Sequence, residues 1–184
     1  MKKTILALCT LAALLGTAAC SLKEIFEKKE VLPRVTPETS KAFGFLLNGK
    51  VWVPKGSNSY PRYNFDVDPG FSDGILNVNA YRYPNAGNGK WDGYQSFALG
   101  ADSLNSIGFY LIQRGSKQNF RFWDEDSNCE YSSRDSLCEY NGYLKVTLYD
   151  LDKGKFQGEF ELKVSKLGCE TLNITKGRFA WQFY

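Results

Sequence analysis

From Phe43 onward, apolar and polar side chains trade places at nearly every residue. Leu144, Val146 and Leu148 alternate with Lys145 and Thr147, and Phe156, Phe160, Leu162 and Val164 alternate with Lys155, Gln157, Glu159, Glu161 and Lys163. Successive side chains of a strand point to opposite faces, so this period of two predicts strands with one buried and one wet face. Between the two runs, Asp152-Lys153-Gly154 supplies a turn whose glycine is free to take positive φ. Asn48-Gly49, the dipeptide most favoured in a type I′ turn, joins Phe43–Leu47 to Lys50–Val53. Shorter runs follow at Leu76–Tyr81, Phe97–Leu99, Ile107–Ile112 and Phe120–Trp123. Near the C-terminus Ile174 makes even positions inward, whereas Phe179, Trp181 and Phe183 are odd. That change of parity across Gly177 predicts a β-bulge. Residues 43–184 contain no helical stripe, so the expected fold is all-β: an antiparallel sandwich or barrel-like sheet of about 8–10 strands. A domain of about 140 residues buries roughly two-thirds of its unfolded surface and folds without a staple.

The first forty-two residues follow another pattern. Met1-Lys2-Lys3 is basic, Ile5–Leu15 is almost wholly apolar, and Gly16-Thr17-Ala18-Ala19 is small. This is the order of a secretory signal, and the apolar run is too short for a ~30 Å hydrocarbon core. The small residues run directly into Cys20, which resembles the lipobox of bacterial lipoproteins, with Thr17 standing where the usual pattern has Leu. The resemblance implies cleavage after residue 19, a diacylglyceryl group on the Cys20 thiol and a further acyl chain, such as palmitate, on the new amine. Two or more chains at ~0.8 kcal/mol per buried CH₂ anchor a domain durably. Ser21 follows instead of Asp, which by the same resemblance favours the outer membrane, while the mixed charges of Lys23–Glu30 leave the leaflet open. Residues 20–42, interrupted by Pro33 and Pro37, read as the lipidated cysteine and a flexible tether, and 43–184 as the folded domain.

Composition narrows the chemistry. The chain has 184 residues and no His, which removes Ser-His-Asp triads, Cys-His pairs and imidazole-bound metals. Loss of residues 1–19 takes two lysines and leaves 21 basic against 20 acidic residues, so no basic stripe exists for nucleic acid. Beyond Cys9 and Cys20, the cysteines are Cys129, Cys138 and Cys169. An exported domain meets an oxidising compartment, so one disulfide and one leftover thiol are expected, and spacing alone does not choose the pair. No C-x-x-C spacing marks a metal site, and no cofactor is implied.

Several short motifs resemble a group of small β-rich lipoproteins of unassigned function from Bacteroidetes-type bacteria. They are Leu47–Trp52, Lys145–Asp150, Gly158–Leu162, Gly168-Cys169-Glu170 and Ile174–Phe179. The resemblance implies an envelope lipoprotein and carries over no catalytic residue. Exported proteins of such bacteria are often O-glycosylated at Asp-Ser/Thr followed by a small or aliphatic residue. Asp102-Ser103-Leu104 and Asp135-Ser136-Leu137 match, which makes Ser103 and Ser136 candidates, both between predicted strands.

Four features bear on chemistry. Asp66-Val67-Asp68-Pro69-Gly70-Phe71-Ser72-Asp73-Gly74 gathers carboxylates, yet it misses the EF-hand spacing and reads as a turn-rich loop. Asp124-Glu125-Asp126 reads as a solvated strand end. A glycosidase needs two carboxylates and no His, but no spacing singles out a pair. The aromatic surplus, 4 Trp, 11 Tyr and 13 Phe, is more pointed. Tyr60, Tyr63, Tyr81, Tyr83, Trp91 and Tyr94 lie among Asn, Gly and Arg, and Tyr81, Tyr83, Trp91 and Tyr94 are candidates to stack on a glycan. Packing within the sandwich is the plainer expectation for the same residues. The functional expectation is thus a lipid-anchored outer-membrane envelope protein, a non-catalytic binding module for a protein or glycan. A structural subunit of an outer-membrane complex is the alternative, and a carboxylate-dependent hydrolase ranks below it.

Overall fold

Among the described residues, eleven strands form where the alternating pattern runs and in two places where it is hidden. The computed structural model describes residues 30–56, 75–83, 93–104, 106–150 and 152–183, with the backbone alone for 65–70. In chain order the strands are β1 (Lys41–Leu47), β2 (Lys50–Trp52), β3 (Phe65–Gly70), β4 (Ile75–Arg82), β5 (Gln95–Ala101), β6 (Gly108–Gln113), β7 (Gln118–Asp124), β8 (Cys129–Ser132), β9 (Cys138–Asp150), β10 (Lys155–Lys166) and β11 (Leu172–Gln182). They make a six-stranded sheet, β2-β1-β11-β10-β9-β6, and a five-stranded sheet, β3-β4-β5-β7-β8, and neither closes on itself. Every pair of adjacent strands is antiparallel. Among the described residues there is no helix. The expected sandwich is therefore present, as an open pair of sheets.

Asn48 and Gly49 turn β1 into β2 with φ of 49° and 80°, the two positive values that a type I′ turn requires. Asn48 also ties this turn to the start of β11: its Oδ1 accepts the Asn173 N–H at 2.8 Å and its Nδ2 donates to Glu170 Oε1 at 3.0 Å. Gly154, with φ 57°, closes β9 onto β10 as expected. The C-terminal bulge is present too. Gly44 pairs with Arg178 and Leu46 with Thr175, so β11 carries one extra residue at Lys176-Gly177. Lys176, not the glycine, takes the positive φ of 53°. Gly177 answers a different need: a Cβ there would lie 2.6 Å from the Phe160 ring and carbonyl.

A second bulge was not legible. Gln157 pairs with Leu148 and Gly158 with Val146, which leaves Thr147 as the extra residue of β9. The parity of β9 then changes, and Tyr149 turns to the core, edge-on to Phe156 at 5.6 Å. Two strands were also missed. The segment read as a turn-rich loop, Asp66–Gly70, is strand β3, with Asp66 opposite Asn79 and Asp68 opposite Asn77. Its Pro69 suits an edge position, where a missing N–H removes no interior ladder bond. β8 is short, and only Cys129 and Tyr131 face inward.

The core lies between the sheets. Phe45 stacks on Trp52 at 4.7 Å, Phe97 on Phe160 at 5.3 Å and Phe156 on Phe179 at 5.5 Å. Such ring pairs contribute ~0.5–1.5 kcal/mol each beyond area burial. One end of the sandwich is tied by the Cys129–Cys169 disulfide, from edge strand β8 to the β10–β11 turn. Beside it the Tyr131 hydroxyl donates to the Glu170 carbonyl at 2.6 Å, and Lys166 donates to the Glu130 carbonyl at 2.8 Å. Cys138 is the leftover thiol and is wholly buried.

The expected tether, 20–42, extends too far into the fold. The compact unit begins at Leu32. Gln157, on the outer face of β10 and only 4% exposed, donates from its Nε2 to the carbonyls of Thr36 and Thr39 at 2.8 and 3.2 Å. A Cβ on Gly44 would meet Pro33 Cδ at 3.0 Å, so the arm lies close against β1. β1 itself starts at Lys41, inside the span read as tether.

Candidate functional site

Small and aromatic residues share the outer face of the five-stranded sheet in an ordered way. In β4, Leu76, Val78 and Ala80 are buried, so Asn77, Asn79 and Tyr81 face out. In β5, Phe97, Leu99 and Ala101 face the core, leaving Ser96, Ala98 and Gly100 outside. In β7, Phe120 and Phe122 are buried while Arg121 and Trp123 face out. Register then aligns them in rows. Tyr81, Ser96 and Trp123 make one row, and Asn79, Ala98 and Arg121 the next.

The result is a trough running along β5. Its floor is Ser96 and Ala98, its walls are β4 on one side and β7 on the other, and beyond Ala98 the Asn119 amide lies over buried Gly100 and closes that end. Two strand spacings separate Tyr81 from Trp123, about 9–10 Å. At one end the aromatic group grows: Tyr83 packs edge-on to Tyr81 at 6.4 Å and against Tyr94 at 5.1 Å. Tyr94 is held in place by a reciprocal pair of bonds, its N–H to Glu125 Oε2 at 3.0 Å and the Glu125 N–H to its carbonyl at 2.9 Å. Beneath this end, Trp52 Nε1 donates to Gln95 Oε1 at 2.9 Å, and Gln95 Nε2 donates to Asp124 Oδ1 at 3.3 Å. This chain of partly buried polar contacts crosses between the sheets under the aromatic end.

Of the four aromatics singled out from the sequence, Tyr81, Tyr83 and Tyr94 come together, half-buried and outside the core cluster. Trp91, with Tyr60 and Tyr63, lies outside the described residues, as does Cys20. Trp123 was missed. It does have a signal, for in Phe120-Arg121-Phe122-Trp123 it stands out of phase with the two buried phenylalanines. Ser103 and Ser136 are exposed on the β5–β6 and β8–β9 connections. Ser103 has φ of 61° and accepts a bond from Lys117 Nζ at 3.0 Å.

Two ion pairs flank the β7–β8 side of this sheet. Arg121 Nε meets Glu130 Oε1 at 2.7 Å, and Lys166 Nζ meets Asp135 Oδ2 at 2.9 Å, around a hollow of about 450 Å³ shared with Ser132 and Arg134. The Lys166 hydrogen bond, followed by the Leu137 N–H, holds the Asp135 carboxyl below the ordinary aspartate range. Asp150 is lowered first by the Lys153 N–H, and Glu38 first by the Thr36 hydroxyl. All three shifts run opposite to the upward shift that a glycosidase acid needs. Asp124 ends β7 as a strand-end residue, accepting from the Ser127 hydroxyl at 2.9 Å. No group of three Cys, Asp or Glu residues among those described is placed to hold a metal. No protein-family model matches this chain, and neither a curated protein nor a solved structure matches it significantly.

Proposed function

We propose that this chain is an outer-membrane lipoprotein, moored through acyl groups on Cys20, whose sandwich is a non-catalytic module that binds a glycan along the trough of β5. The observation that carries the reading is the joining of Tyr81, Tyr83, Tyr94 and Trp123 on one outer face with Asn79 and Arg121 in the adjacent row. A pyranose presents flat patches of C–H and a rim of hydroxyls. Aromatic faces cover the first, and amide and guanidinium groups bond the second. The small residues of β5 leave room for a ring between the walls. Stacking on a rigid sheet also costs little ordering entropy.

Affinity electrophoresis of the full chain through gels cast with single polysaccharides tests the binding. At least one neutral glycan should retard the wild type. Trp123→Ala and Tyr83→Ala should each weaken that retardation by about three- to tenfold, the loss expected for one ~0.5–1.5 kcal/mol ring contact. Their thermal midpoints should stay close to wild type, since neither ring is in the core. Retardation by no polysaccharide, or unchanged retardation in both variants, would remove the reading. The anchor is tested separately: labelled palmitate should enter the wild-type chain and be absent from Cys20→Ala.

A further inference from the structure

Strand β6 ends the six-stranded sheet, with β9 on one side and no described strand on the other. Natural edges are blunted by Lys, Pro or a bulge, and β6 has none of these. Its register with β9 is unbroken from Gly108 to Gln113, and Ser106–Gln113 carries no charge. Two of its three outer side chains are apolar and open to water, Phe109 60% and Leu111 50% exposed, with Ile107 at 61% just before the strand and polar Gln113 at its end. Phe109 also stacks on Tyr143 of β9 at 4.8 Å, which makes the strip continuous onto the next strand.

The backbone of this edge is oriented for pairing. Gln113 turns its N–H and C=O away from β9, to the Ser116 hydroxyl and the Ser116 N–H at 3.2 and 3.0 Å. Peptide directions alternate along a strand, so Leu111 and Phe109 present their N–H and C=O to the same open side. We infer that β6 is a self-pairing edge, and that a second copy of this chain adds its own β6 antiparallel about a two-fold axis at Tyr110. In that register Phe109 faces Leu111 of the second copy, and Leu111 faces its Phe109. Both are hydrogen-bonded pairs, giving four backbone bonds, and apolar side chains meet apolar side chains on the same outer face. No like charges meet, and the interface is isologous, so it closes at two copies instead of growing into a fibre. The contact is short, below the ~1,200 Å² of a standard interface, so the dimer is a weak one, dissociating at about micromolar or higher concentrations. This inference is independent of glycan binding, because the trough lies on the other sheet.

Sedimentation equilibrium of the full chain in density-matched detergent reads the outcome. The wild type should pass from monomer to dimer as concentration rises and go no further. Leu111→Pro removes one of the presented N–H groups at an edge position, and Phe109→Lys puts two charges beside the axis. Both should remain folded by circular dichroism and sediment as monomers. Leu167→Lys, at a 95% exposed leucine in the β10–β11 turn, should still dimerise. A wild type that stays monomeric throughout, a dimer that survives in both edge variants, or a dimer abolished equally by Leu167→Lys would each overturn the inference.

Discussion

Gly142→Ala should cost about 3 kcal/mol or more and leave little native protein, although it adds a single methyl group. Gly142 lies in β9, between β10 and β6. A Cβ there would press on the Glu161 carbonyl oxygen and sit 2.9 Å from Leu162 Cα. Both obstacles are backbone of a paired strand, so no rotamer change relieves them. Overpacking against movable side chains already costs ~1–3 kcal/mol. Here the ladder itself has to shift, and whole-domain stability is typically only ~5–15 kcal/mol. Two other glycines calibrate the effect. Gly108→Ala meets only the Tyr110 ring, at 3.3 Å, and should change stability by less than about 1 kcal/mol. Gly115→Ala meets no atom within 4 Å but sits at φ 81°, so its cost should be the ~1 kcal/mol of backbone conformation alone. Denaturant unfolding of the three variants should rank them with Gly142 far in front. A Gly142→Ala protein within about 1 kcal/mol of wild type would contradict the packing of β9 on β10.

The second large effect belongs to the covalent tie. Replacing Cys129 and Cys169 together by Ser should lower stability by about 4 kcal/mol, the chain-entropy value for a closed loop of this length. The two residues are 40 apart in sequence, and their bond joins edge strand β8 to the far sheet. Without it β8, a four-residue strand paired only with β7, is held to the far sheet by the Tyr131 and Lys166 hydrogen bonds and by the burial of Tyr131 in the core. The guanidinium midpoint should fall and the m-value rise, because an uncrosslinked unfolded chain exposes more surface. Peptide mapping of the oxidised protein should recover Cys129 joined to Cys169 and leave Cys138 alkylated only after unfolding. A midpoint unchanged by the double substitution would mean that the hydrogen bonds hold that end by themselves.

The candidate site was only partly legible, for a specific reason. Tyr81, Tyr83 and Tyr94 drew notice because they lie near one another along the chain. Trp123 is a neighbour of the same group only because β5 pairs with β7, while the intervening β6 crosses to the other sheet. No local pattern reports such a crossing. The small-residue floor of Ser96 and Ala98 likewise has no meaning until flanking strands supply walls. The tether boundary was misplaced on similar grounds. Pro33, Pro37 and their polar neighbours read as loose chain, and nothing around Gln157 announces that its amide will hold the Thr36 and Thr39 carbonyls.

What the order of residues settles by itself is what depends on neighbours in the chain. Alternation marks most of the strands, Asn48-Gly49 and Gly154 make turns from their own φ preferences, and the parity change around Gly177 announces a bulge. These follow from sterics acting over a few bonds, which operate before any tertiary contact forms. The Thr147 bulge, the edge strand through Pro69, the choice of Cys169 over Cys138 and the arrival of Trp123 in the same row as Tyr81 needed the folded molecule. Each is chosen by which faces bury most apolar surface together, and that competition runs across the whole chain at once.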